Sequence, residues 1–370
     1  MGRATINDVA ERAQVSVGTV HRALYDKPGV SRAVRERILE VAHELGYRPN
    51  RMASSLRKKP LNIVVAFPAP TSDNRYFYGE LWNGCRDAED LFASHNCNVI
   101  HIPYYEDDVN SFSSNMGRVL LQYKNSVDGV LIGGKMKRDD IALAGLISKK
   151  PYNIPLIAVG EVFDDISCLA SIQSDHETDG KMAAEILGRQ MDHSGDILMA
   201  AGDVTLHSNQ SNSQAFESYL REHFPEHRIY KVFDNPMDQS VAMRVSEILK
   251  TTPGIRGMYA VSARSTMQIL KAAEECGLAG KIAIVGSDLH EDTARYLRDG
   301  FLSAVIFKNP ANQAKTGIGI LLDHLVWGKQ PQTRNLRLTS LIVNRANVDR
   351  YLPLKQGEIY EIQRDSNTGS

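Results

Sequence analysis

At 370 residues, 42% hydrophobic and 24% charged, the chain is long enough for two or three domains that each bury a core, and no apolar run approaches membrane-spanning length. Its formal charge of −1 hides an asymmetry: residues 1–59 hold 12 Lys+Arg against 6 Asp+Glu, and the remainder holds 31 against 38. A basic head on an acidic body is the footprint of a nucleic-acid-binding module, and four scattered cysteines (Cys85, Cys97, Cys168, Cys276) without CxxC spacing argue against a zinc site or a disulfide framework and read as reduced, mostly buried thiols.

The head opens on helical periodicity. Ile6, Val9, Ala10 and Ala13 share one face of a short helix, and Thr5, three residues before Asp8, supplies a capping-box start. After a break at Gln14-Val15, Ser16 caps a second helix with Val20 and Leu24 on one face. Val15 and Val20 flank that cap at the spacing of a hydrophobic staple, which fixes the angle of entry. Two short amphipathic helices joined by a tight turn make a helix-turn-helix, whose second helix can lie in the DNA major groove. Ser31 caps a third helix striped by Val34, Ile38, Val41 and Leu45 and ended by Gly46 and Pro49. A three-helix cap without a nucleic-acid role has the same pattern, but the charge surplus coincides with these helices. Residues 50–57 are too few to persist as a helix alone, because an isolated helix needs ~12–15 residues. By themselves they read as a basic linker.

Beyond Pro60, β-rich apolar runs alternate with helical stretches. The strand candidates are Asn62–Phe67, Asn98–Pro103, Asp128–Ile132, Leu156–Val159, Asp196–Ala200, Ile229–Phe233, Gly257–Val261, Ile282–Val285, Leu302–Phe307 and Leu338–Val343. Helix-length spacers between the first eight predict βαβ units, and continuous runs such as IVVAF, GVLIG and IAIVG predict strands buried on both faces. So many strands imply two lobes. Ligands of open α/β sheets bind at the carboxyl ends of strands. Those ends carry Asn74 with Tyr76, Phe77 and Tyr78, then Glu161, Asp175, Asp203, Asp234 with Asn235, Ser262 and Asp288. Carboxylates and amides accept hydrogen bonds from hydroxyl pairs while aromatic rings cover an apolar face, which suits a sugar. Any one of these polar residues can instead be a loop cap or N-cap, Asp175 and Asp203 as readily as ligands. There is no G-x-S-x-G, H-E-x-x-H, Walker A loop or G-x-G-x-x-G, and the histidines are isolated, so no enzyme chemistry, cofactor or metal is expected.

The stretch TINDVAERAQVSVGTVHRAL, followed by VSRAVRERILEVAHELGYRPNRMASSLR, resembles the N-terminal region of the LacI/GalR family of bacterial transcription regulators. It shares D-V-A-x-x-A-x-V-S, T-V-x-R, G-Y-x-P-N and a final A-x-x-L; a weaker resemblance covers most of the rest. The resemblance implies a DNA-binding set of Thr5, Ser16, Val17, Gly18, Thr19, His21, Arg22, Ser31, Asn50, Ala53 and Leu56. Within it Thr5, Ser16 and Asn50 hold phosphates, and Val17, Gly18, His21 and Arg22 face bases. Residues 49–60 become a hinge helix that folds on DNA, with Ala53 allowing close approach and Leu56 wedging the minor groove. The domains implied are the helix-turn-helix at 1–48, the hinge at 49–60, an effector and dimerisation domain at 61–345 and a C-terminal extension at 346–370.

That body resembles a type I periplasmic-binding-protein fold, an α/β fold of two doubly wound lobes. The lobes span about 61–163 with 291–326, and about 164–290 with 327–345. Crossovers fall near Phe163–Ile166, after Asp288 and near Trp327–Gln330. Within it Asp288 sits at the family's ligand aspartate. Asn212 stands about where an arginine is common, and Ser262-Ala263 replaces the usual Asn-Asp pair, so the effector departs from the usual sugars. The whole implies a cytoplasmic, ligand-responsive repressor that binds near-palindromic double-stranded operator DNA as a homodimer or tetramer, without a membrane role. Its effector is a small sugar or sugar derivative, acting as inducer or corepressor. The rivals are a solute-binding protein for transport, against which the absence of a secretory signal and the basic head both count, and a degenerate α/β enzyme.

Overall fold

The computed structural model describes residues 5–24, 28–45, 59–71, 74–105, 107–124, 126–191, 194–234 and 240–352. The hinge positions Asn50, Ala53 and Leu56, and the loop residue Asn235, lie outside them. The chain divides into two compact units with a boundary at Pro60.

The head is three helices, α1 (Ile6–Arg12), α2 (Val17–Leu24) and α3 (Arg32–Glu44). Each begins where a side-chain oxygen satisfies a free N–H of the first turn. Thr5 accepts from the Asp8 amide at 3.4 Å and its own amide donates to the Asp8 carboxylate at 2.7 Å. Ser16 accepts from the Thr19 amide at 3.1 Å, and Ser31 from the Val34 amide at 3.4 Å. Val9, Ala10, Ala13, Val20, Ala23, Ile38 and Ala42 close a small core, with Val34, Val41 and Leu45 packed against it.

The body holds two six-stranded sheets. In chain order the strands are β1 (Leu61–Pro68), β2 (Cys97–Tyr104), β3 (Gly129–Gly133), β4 (Leu156–Val159), β5 (Ala170–Ser174), β6 (Asp196–Gly202), β7 (Ile229–Phe233), β8 (Ile255–Ala260), β9 (Ala283–Ser287), β10 (Ala304–Phe307), β11 (Asn335–Leu338) and β12 (Leu341–Val343). The first sheet runs β11-β5-β4-β3-β1-β2 and is parallel throughout. The second runs β12-β10-β9-β8-β6-β7 and is parallel except at β12. Helices α4 (Arg75–Arg86), α5 (Glu89–Ser94), α6 (Phe112–Gln122) and α7 (Arg138–Ile147) connect the first strands. After them come α8 (His176–Gln190), α9 (His207–His223), α10 (Val241–Thr251), α11 (Ala263–Glu275), α12 (Glu291–Asp299), α13 (Pro310–Trp327) and α14 (Val348–Tyr351). The continuous apolar runs fill both faces of a sheet: Ile63, Val65 and Phe67 enter one core of the first lobe, Val64 and Ala66 the other.

The chain crosses between lobes later than expected at every crossing. β5 pairs with β4 and β11, so the first crossing is at Asp175, beyond Phe163–Ile166. β9 and β10 pair in the second sheet while α13 packs on the first, which puts the second crossing at Lys308-Asn309 and not after Asp288. β11 and β12 belong to different sheets, so the third falls at Thr339-Ser340 and not at Trp327–Gln330, and the run Leu338–Val343 is cut in two. The first lobe is therefore β1 to β5 with α13 and β11, and α12 and β10 stay with the second. The C-terminal segment also begins later than residue 346, because Val348 of α14 is fully buried in the core that holds Leu297 and Val343. Of the cysteines only Cys85 is buried; Cys97, Cys168 and Cys276 are half-buried. No helix among the described residues is long and apolar enough to cross a membrane.

In the second lobe α8 lies against α9 with backbone almost touching. A Cβ on Gly180 would sit 2.3 Å from the Asn212 carbonyl oxygen and 2.9 Å from the Phe216 nitrogen. Alanine gains about 1 kcal/mol of helix propensity over glycine, but two backbones cannot yield as a side-chain tip does, and overpacking costs about 1–3 kcal/mol or more. Gly180→Ala is expected to lower stability by about 2 kcal/mol in urea unfolding; an unchanged midpoint would mean the helices part freely.

Candidate functional site

On the head, α2 presents Val17, Gly18 and Arg22 to solvent, with Ser16 exposed before it and Thr19 and His21 half-buried. Val20 and Ala23 point the other way, into the core. The exposed face is thus the N-terminal half of α2 plus Arg22 one turn on. Thr5, Ser16 and Ser31 all spend their side-chain oxygens as N-caps.

In the body, the carboxyl ends of strands from both sheets converge on one cavity of about 300 Å³. The first lobe contributes Asn74, Phe77, Tyr78, Tyr104, Lys135 and Glu161, and the second contributes Asp203, Ser208, Asp234, Ser262, Arg264 and Asp288. His176 and Lys308, one beside the first crossing and one on the second, complete it. Gly134 makes room for an aromatic wall: it holds φ +79°, and a Cβ there would lie 2.7 Å from the Tyr78 ring.

Asp288 is the deepest acid. It is 2% exposed and adopts the left-handed φ of 65° that Asp and Asn tolerate. One carboxylate oxygen accepts from the Lys308 amide at 3.1 Å; the other, Oδ2, has no partner among the described residues. Burial raises its pKa to about 6 against the pull of the Lys308 charge. Glu161 is pushed up further, to about 7, by burial, although Ser208 donates to it across the cleft. Lys135 reaches across the same cleft to Asp203 at 2.9 Å. Burial raises Asp203, but bonds from Thr205 and Lys135 outweigh it and hold that carboxyl below its usual range. Asp234 pairs with Arg264 at 3.3 Å, and Ser262 caps α11 through the Ser265 amide at 3.2 Å. Burial lowers His176 to about 3, so it is a neutral ring whose Nδ1 meets the Ser174 hydroxyl at 3.0 Å. The site therefore offers acceptors, a few cations and aromatic faces, the lining that a polyhydroxy ligand needs.

Three sequence candidates lie elsewhere. Tyr76 turns away from the cavity and stacks on His290. Asp175 caps α8 and faces Arg337 at 3.6 Å. Asn212 is a core amide accepting from the Tyr259 hydroxyl at 2.6 Å. Lys135, Lys308, Arg264 and His176 went unmarked, although Lys135 and Lys308 obey the same strand-end rule. Among the described residues no group of three or more His, Cys, Asp or Glu could hold a metal ion.

Glu161 permits a pH test. Its folded pKa lies above the ordinary 4.5, so the folded chain holds the proton more tightly and stability falls as pH rises from about 4.5 to about 7. Glu161→Gln removes that loss while keeping an acceptor for Ser208. The variant should gain on the parent across this window, by up to about 3 kcal/mol above it. Urea midpoints over pH read the difference; a gain independent of pH would mean the carboxyl is ionised throughout.

Fold and site together define a helix-turn-helix protein that carries a two-lobed cleft. Residues 5–50 match the family described as bacterial regulatory proteins, lacI family, and residues 65–330 match the periplasmic binding protein domain. The Probable HTH-type transcriptional repressor ExuR of Bacillus subtilis (strain 168) is 29% identical over 221 residues, which are 59% of this chain and 61% of that protein. The ribose operon repressor of Halalkalibacterium halodurans is 26% identical over 290 residues, covering 77% and 80%. Among solved structures, GanP, a glucose-galactose binding protein from Geobacillus stearothermophilus, superposes with a TM-score of 0.66 at 19% identity over 80% of this chain and 100% of that one. The chain belongs, through its body, to the periplasmic binding protein domain family, and its head is a lacI-type helix-turn-helix domain.

Proposed function

We propose that the protein is a ligand-responsive transcriptional repressor of the cytoplasm, binding a near-palindromic operator as a homodimer and taking a small sugar-type effector between its lobes. The observation that carries this is the union, in one chain, of an exposed reading helix and a cavity whose deepest carboxylate oxygen lacks a partner among the described residues. A sugar hydroxyl supplies that partner, and Phe77, Tyr78 and Tyr104 supply faces for the ring. A ribose operon repressor among the relatives and a glucose-galactose binding protein among the folds support a carbohydrate. The effector changes the lobe geometry and with it the dimer that presents two heads to two half-sites.

Capture of bound genomic fragments, with and without candidate sugars, tests the proposal; a transport protein predicts no specific DNA complex at all. Arg22→Ala sharpens the test. If Arg22 forks onto a guanine, the variant loses about 1–3 kcal/mol and one base pair per half-site becomes degenerate in binding-site selection. A uniform loss across sequences would move Arg22 to the phosphates.

A further inference from the structure

We propose that Tyr76 and His290 form a latch across the mouth of the cleft, positioning residues that set how often the lobes are closed without touching the effector. Tyr76 stands in the first turn of α4, on the first lobe, and His290 is the N-cap of α12, on the second. Their rings stack with centroids 4.2 Å apart and planes 26° from parallel. The Tyr76 hydroxyl donates to Asp292 at 3.1 Å. Arg75 lies 4.2 Å over the Tyr76 ring and 3.8 Å from Asp292, so a cation and its counter-charge clasp the pair from both lobes.

Two features separate this contact from the cavity. A helix turns about 100° per residue, so Phe77 and Tyr78 face the cavity while Tyr76 faces outward. Tyr76 and His290 instead line a second groove with Arg75, Arg86, Glu80 and Asp292. The His290 ring is also fixed to its own lobe, since its Nδ1 accepts from the Thr293 amide at 3.4 Å. Burial lowers His290 to about 4, which keeps the stacked ring neutral.

Contacts made only between closed lobes shift the open–closed balance, and apparent affinity scales with the closed fraction. A latch therefore rescales affinity for every ligand by one factor, whereas a cavity residue discriminates among ligands. That consequence rests on the cavity being the effector site; the latch itself does not.

Hydrogen exchange and small-angle scattering on the full chain, without added ligand, test it. Tyr76→Ala and His290→Ala should each speed exchange of cavity-lining amides about tenfold and enlarge the radius of gyration. The double variant should do no more than either single one, and Tyr76→Phe, which keeps the stack, should stay near the parent. Single variants at parental exchange and radius, or effects that add in the double, overturn the latch. If His290→Ala fails to fold for want of its cap, His290→Asn, which removes the ring and keeps a side-chain acceptor for the Thr293 amide, takes its place in the cycle. Because no ligand enters, a sugar that fails to bind sinks the effector and leaves the latch standing.

Discussion

Operator affinity is expected to fall about a thousandfold or more when salt rises from 50 to 200 mM, the loss produced by roughly 6–10 phosphate contacts. Residues 1–59 carry 12 Lys+Arg against 6 Asp+Glu, so two heads can reach that number with fewer than half of their cations. Each neutralised phosphate frees a condensed counterion, and a plot of log affinity against log salt should slope at about −0.9 per contact. Surface ion pairing within the head takes little away. Arg32 meets Glu36 at 2.8 Å, but both side chains are largely exposed, and such a pair yields readily to a phosphate. The body cannot supply the slope, because its 31 Lys+Arg are outnumbered by 38 Asp+Glu. Filter binding at four salt concentrations measures it. A slope near zero would remove DNA from the account, whatever the helices look like.

The head was legible because its signals are local. Thr5, Ser16 and Ser31 cap where the periodicity said helices begin, within a few residues of the groups they satisfy. The lobes were legible as strands but not as an assignment of strands to sheets. β5 reads Ala-Ser-Ile-Gln-Ser, too polar for a buried strand, and its polar groups are answered from afar: Ser171 bonds Asn335 at 2.7 Å, across 164 residues. Local pattern cannot report such a partner, so the crossings slipped. At the site, the strand-end rule found the acceptors but was applied to acids and amides, leaving Lys135 and Lys308 aside. Three successive aromatics from Tyr76 to Tyr78 looked equivalent because only the phase of α4 divides them between cavity and latch. His176 was hidden for the same kind of reason, lying in the first turn of a helix that begins just after a crossing.

Asp288→Asn is expected to weaken effector binding about ten- to a hundredfold and to uncouple it from the operator. The backbone gives asparagine no reason to move, since it tolerates the left-handed φ of 65° as aspartate does. The Lys308 amide, 3.1 Å from one carboxylate oxygen, demands an acceptor. Asparagine satisfies it with its carbonyl, which turns the amide NH₂ toward the cavity where Oδ2 stood. An acceptor thus becomes a donor against a ligand hydroxyl, and a mispaired buried polar group costs about 1–3 kcal/mol. The carboxylate with its pKa near 6 is also gone, so any pH dependence of effector binding that centres there should vanish with it. DNA affinity without effector should hold, because the head folds on its own core of Val9, Val20 and Ile38. Coupling is reciprocal: the factor by which effector changes operator affinity equals the factor by which operator changes effector affinity. Calorimetric titration of the sugar identified by fragment capture, with and without operator, on parent and variant, measures both. Effector affinity unchanged by the mutation would move the ligand off Asp288, toward Glu161 and the Phe77–Tyr78 wall, and the cleft would have to be read again from that side.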